Sequence, residues 1–114
     1  MPNIIVHVME GLASERRKNM VKRITESASK DVGVPLDDVR IIITEHAAHN
    51  MAIGGEFLDE GSKTFYPIAV VNTKAGKTDE LLKNISLHIA EAIAGAFEYP
   101  VDKIRVYFIE RKLL

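Results

Sequence analysis

Apolar residues recur along this chain in two rhythms, and the rhythms predict its elements. Short β-branched runs at Asn3–Val8 (NIIVHV) and Ile68–Val71 (IAVV) predict strands, each starting just after a proline. Proline suits that place because the first residue of a strand needs no ladder donor. Gly11 and Gly76 then mark turns. Beyond the first turn, Met20, Val21, Ile24, Ala28 and Val32 fall on one helical stripe. Beyond the second, Leu81, Leu82, Ile85, Ile89, Ala92, Ile93 and Ala96 do the same. Ala13 or Ser14 opens the first helix and Thr78 or Asp79 the second, the polar residues being able to cap exposed N–H groups. Gly33 and Pro35 end the first helix, and Pro100 follows the second. The closing strands are Val39–Glu45 (VRIIITE) and Ile104–Glu110 (IRVYFIE).

The two rhythms are one pattern written twice. A shift of 65 residues aligns the halves without a gap from Pro2/Pro67 to Glu45/Glu110. Twelve of the 44 aligned pairs are identical, including Gly11/Gly76, Ile24/Ile89, Pro35/Pro100 and Arg40/Arg105. Ordinary composition would give roughly 3. Each half therefore reads as strand, helix, strand, an arrangement that usually makes a parallel crossover. The predicted fold is α+β: tandem β-α-β units forming a four-stranded sheet with two helices on one face. The whole of 1–114 is expected to be one domain of two repeats, 2–60 (first unit plus hairpin) and 66–114 (second unit). The stretch Glu45–Tyr66 between them is too long for a bare turn, and a small hairpin is expected around Gly54–Gly55. The sheet face away from the helices is expected to be apolar and to need a partner, most simply further copies of the chain.

Composition narrows the function. The 114 residues are 46% hydrophobic and 27% charged, the balance of a globular protein. Cysteine is absent, which excludes disulfides, thiolate metal sites and a cysteine nucleophile. Lys+Arg 15 against Asp+Glu 16 gives a net charge of −1, so neither nucleic acid nor an anionic membrane is an expected partner. No apolar run approaches the ~20 residues of a membrane span. The start, MPNIIVHVMEGL, lacks the marks of a signal peptide, and a cytoplasmic location is expected.

A proline directly after the initiator, then PNIIVHVMEG, a helix, PLDDVRIIITE and AIGGE, resembles the tautomerase superfamily, in its 4-oxalocrotonate tautomerase-like branch. The resemblance is densest over residues 2–56 and runs on more weakly through the second unit. It is similar to the fused, two-unit form, whose size is that of macrophage migration inhibitory factor and whose chains typically form trimers. What the resemblance implies is an isomerase acting on a small 2-keto or enol carboxylic acid, with Pro2 as general base and with no cofactor or metal. Once Met1 is removed, Pro2 would be a secondary amine; with Met1 attached its nitrogen is a non-basic amide. Pro67 is always an amide, so one reactive proline per chain is expected. The plain alternative for Pro2 is a strand-starting residue without chemistry.

The same resemblance assigns a carboxylate clamp. Arg40, within VRIIITE, matches a substrate-binding arginine of the family, and Arg105 is its repeat partner. Arginine suits this task through its planar fork of donors. The family's second arginine, just after the glycine of MEG, is replaced by Leu12, whose repeat partner is Lys77. The family's pocket phenylalanine falls at Met51 or Ala52. Tyr107 is a candidate donor to a developing oxyanion, or else an ordinary strand aromatic. These departures favour a monocarboxylate, or a different ring-cleavage product, over the family's usual dicarboxylate. Two other functions stay open: dehalogenation, hydration or decarboxylation of short unsaturated acids with Pro2 as an acid, and a non-catalytic oligomeric or signalling-type protein.

Remaining clusters carry weaker signals. His46 and His49 beside Glu45 have poor metal spacing in a glycine-rich loop. Gly76–Thr78 (GKT) lacks the upstream glycine of a phosphate loop. His7 and His88 read as packed or solvated.

Overall fold

A computed structural model of the protein, in which residues 2–112 are described, carries the strand–helix–strand pattern twice. Strand β1 (Asn3–Met9) leads to helix α1 (Ser14–Val32) and strand β2 (Arg40–His46). A hairpin of β3 (Ala52–Ile53) and β4 (Glu56–Phe57) follows. Strand β5 (Ile68–Lys74), helix α2 (Asp79–Phe97) and strand β6 (Arg105–Arg111) repeat the first three elements. The expected removal of Met1 and the last two residues of the second repeat lie outside the described residues.

The main sheet has the order β2-β1-β5-β6. Strands β1 and β2 are parallel, as are β5 and β6, and the two units join through an antiparallel β1–β5 pair. The predicted elements are therefore present, with edges moved by one to three residues. The largest change is β5, which runs three residues past Val71 because its ladders with β1 and β6 continue to Asn72 and Lys74.

Burial alternates along the central strands as period-two geometry requires. Ile4, Val6 and Val8 of β1 and Ala69, Val71 and Thr73 of β5 are buried. Against this face pack Met20, Ile24 and Ala28 of α1 and Ile85, Ile89 and Ile93 of α2. The stripes read from the sequence thus face the sheet. Both helices end on a left-handed residue: Gly33 (φ 77°), whose N–H reaches the Ser29 carbonyl, and Glu98 (φ 59°), bonded to that of Ala94. These four positions obey the 65-residue shift.

The hairpin turns on Gly54 (φ 61°) and Gly55 (φ 82°), with Ile53 opposite Glu56. Two successive positive φ values make the tight turn that matches strand twist, which is why two glycines stand there.

The opposite sheet face corrects one expectation. It is apolar only across its middle, where Ile5, Ile42, Val70, Tyr107 and Ile109 share one side. Ile42 is 60% exposed, Tyr107 54% and Ile109 43%. Towards the strand ends the same face carries Asn3, Arg40, His7, His46, Asn72, Arg105 and Arg111. The runs RIIITE and RVYFIE look continuously apolar because alternate residues serve different sides: Ile41, Ile43, Val106 and Phe108 pack against the core, and the others face outward.

Candidate functional site

The antiparallel β1–β5 pair decides which residues meet. Asn3 stands opposite Asn72, Ile4 opposite Val71 and His7 opposite Ile68. One step further, the same register sets Pro2 opposite Thr73 and Val8 opposite Pro67. Each proline thus begins its strand beside the end of the other repeat's first strand. Both rings are buried, and each carbonyl accepts the N–H of the arginine that starts the neighbouring parallel strand: Arg40 to Pro2 (3.2 Å) and Arg105 to Pro67 (3.5 Å).

The two ends differ in charge. At the Pro2 end, Lys77 lies in the turn after β5, and its Nζ donates to the Lys74 carbonyl (3.3 Å), one residue beyond Thr73. Arg40 starts β2 on the uncovered face, is exposed and makes no side-chain hydrogen bond among the described residues. Arg111 is on that face too, opposite Lys74, and its Nε donates to Asn72 Oδ1 (3.1 Å). At the Pro67 end the place of Lys77 is taken by Leu12, which packs against the core. There His7 Nδ1 and His46 Nε2 approach to 3.0 Å, the repeat counterpart of the Asn72–Arg111 contact.

The candidate residues therefore fall into two groups. Pro2, Arg40 and Lys77 share one end of the sheet. Arg105 begins β6 beside Pro67, with a guanidinium N–H donated to the Asp102 carbonyl (2.8 Å). Tyr107 lies opposite Val70 in the middle of the uncovered face. From Ile68, the partner of Arg105, to Thr73 is five residues of strand, about 17 Å. Within one chain Arg105 is not a neighbour of Pro2. Two surface grooves, of about 460 and 600 Å³, run between the helices and along α2 and β6, and neither reaches Pro2.

Sequence reasoning missed Arg111 and Thr73 at the Pro2 end. Each has a readable counterpart under the 65-residue shift, His46 and Val8. What could have singled them out is that comparison together with the antiparallel join, which exchanges the ends of the two repeats. The join itself is not written in either repeat.

Comparison with known proteins identifies the family and the fold. A family model described as tautomerase enzyme matches residues 2–60. A 2-hydroxymuconate tautomerase of Pseudomonas putida is 38% identical over 56 residues, which span 49% of this chain and 89% of that protein. A probable tautomerase of Lactiplantibacillus plantarum is 31% identical over 55 residues, 48% of this chain and 86% of that protein. Among solved structures, a native fused 4-OT superposes with a TM-score of 0.88 at 25% identity, covering 96% of this chain and 86% of the other. A fused 4-OT solved as an asymmetric trimer gives 0.83 at 27% identity, covering 96% and 85%. The shorter relatives match the first unit and the fused structures match both. With its strand-starting prolines, its parallel arginine-led strands and its two-glycine hairpin, the chain belongs to the tautomerase family, in the fused two-unit 4-OT-like form.

Proposed function

We propose that the protein is a tautomerase that moves a proton within a small 2-keto or enol carboxylic acid, with Pro2 as its general base after Met1 is removed. The freed ring nitrogen takes the proton from the enol hydroxyl, and the resulting prolinium returns a proton to carbon, so that no atom is gained or lost. A free α-amino group is a base near neutral pH, and neighbouring cations favour its neutral form. Arg40 and Lys77 hold the carboxylate and keto oxygens, a role suited to charge-assisted hydrogen bonds.

One observation carries this reading. The repeat unit has a single cation after its glycine, Lys77, and the β1–β5 join delivers it to the end where Pro2 stands. Leu12 is left beside Pro67, whose nitrogen is an amide at all times. Of the two positions after the repeat's glycine, the cationic one thus stands at the end where a free amine can exist.

The uncovered sheet face supports assembly into a homo-oligomer, and the trimeric state of a fused 4-OT relative makes a trimer the favoured form. Arg105 and Tyr107 would then serve the Pro2 of a neighbouring copy. The chain acts as one unit of two repeats, in the cytoplasm, without cofactor or metal.

The test is turnover of 2-hydroxymuconate and of the monocarboxylate 2-hydroxy-2,4-pentadienoate by the wild type and Pro2→Ala. The variant should lose roughly 10²–10⁴-fold in kcat; full activity overturns the assignment. In the wild type, kcat/KM should fall as pH drops through the pKa of the amine, because a base must be neutral. The opposite dependence would assign Pro2 the role of an acid.

A further inference from the structure

We propose that the Thr73 hydroxyl accepts a hydrogen bond from the N–H of the freed Pro2 amine and thereby aims the nitrogen lone pair at the substrate, a positioning role that rests on Pro2 being the base.

Among the described residues Thr73 is the one buried polar residue of the core, 4% exposed, and its Oγ1 has no hydrogen-bond partner there. Burying a hydroxyl without a partner is unfavourable, and a valine of nearly the same shape avoids the penalty. The repeat supplies that valine. Val8, the counterpart of Thr73, is wholly buried at the same point of the same strand. One step beyond the paired residues Asn3–Asn72 and His7–Ile68, the same register puts each of the two opposite a strand-starting proline: Val8 opposite Pro67, Thr73 opposite Pro2. Both members of the second pair also belong to the covered side of the sheet, since burial alternates from Ile4 to Pro2 and from Val71 to Thr73. Residues directly opposite on one face of an antiparallel pair have Cβ atoms about 5 Å apart.

The hydroxyl is therefore present at the proline that can carry an N–H and missing at the proline that cannot. A neutral secondary amine has one hydrogen and one lone pair on nitrogen. Engaging the hydrogen orients the lone pair, and the hydroxyl remains an acceptor when the amine is protonated. Fixing the direction of a base in this way contributes to rate through orientation. Arg40 and Lys77 are left to bind oxygens of the substrate.

The experiment compares Thr73→Val, Thr73→Ser and Val8→Thr with the wild type and Pro2→Ala, using turnover of 2-hydroxy-2,4-pentadienoate and of 2-hydroxymuconate and thermal unfolding of the full chain. Thr73→Val should lower kcat about 10-fold with KM changed less than 2-fold, while its melting temperature is unchanged or higher. Thr73→Ser should restore kcat, and Val8→Thr should melt lower with kcat unaltered. A Thr73→Val enzyme at wild-type kcat, beside an inactive Pro2→Ala, overturns the role of Thr73 and leaves that of Pro2 standing. So does a Thr73→Val enzyme that loses rate and stability together and is not rescued by serine. A fully active Pro2→Ala, or a wild type without turnover, overturns both.

Discussion

Ile5 stands directly opposite Val70, and each is the other's counterpart in the 65-residue repeat. The two units are thus related by an approximate two-fold axis through this pair. The backbone obeys it closely: Glu10 N–H reaches the His46 carbonyl at 3.0 Å, and Ala75 N–H reaches that of Arg111 at 3.3 Å. Side chains do not obey it. Lys77, Thr73 and Arg111 gather at the end of Pro2, and Leu12, Val8 and His46 at the end of Pro67. A symmetric frame with unlike ends suits the proposed single reactive amine, since only one of the two prolines can have a free nitrogen.

Lys77 and Leu12 provide a direct test of that division. Lys77→Ala should raise KM for an enol carboxylate about 10- to 100-fold, the loss expected for one hydrogen bond to a charged group. Leu12→Lys should leave KM within 2-fold, because its new charge stands beside Pro67. Equal effects of the two substitutions would show that the ends do not differ in function.

Arg105 starts its strand about 17 Å along the sheet from the level of Pro2 of its own chain, and Tyr107 stands between them in the middle of the uncovered face. If they serve the next copy, Pro2→Ala and Arg105→Ala chains, each poorly active alone, should regain activity when co-assembled. An equal mixture restores about a quarter of the sites in a closed ring of identical contacts. Steady-state rates of co-expressed variants provide the measurement. No gain over the sum of the parents would remove Arg105 from the site.

The helix starts make a matched pair for stability. Thr78 caps α2, its Oγ1 accepting the Leu81 N–H at 3.2 Å, whereas the counterpart Ala13 offers α1 no side-chain cap. Thr78→Ala should cost about 1 kcal/mol in urea unfolding, and Ala13→Thr should add a similar amount. An Ala13→Thr chain no more stable than the parent would mean that water already satisfies those N–H groups.

Much of this architecture is written locally. The period-two runs, the helical stripes of Met20–Ile24–Ala28 and Ile85–Ile89–Ile93, the glycines at turns and the duplication each follow from contacts within a dozen residues or from direct comparison of the halves. They were enough to indicate two β-α-β units, and the motif around Arg40 and Gly54–Gly55 was enough to suggest the family. Tertiary structure alone decided how the units join. Nothing within a unit says that β1 pairs with β5, or that the pair runs antiparallel, because the hydrogen bonds concerned connect residues about 60 to 70 apart and depend on backbone groups common to every sequence. That join sends Lys77 and Thr73 to Pro2, separates Arg105 from it, and turns a leucine and a lysine at equivalent places into a difference between two ends.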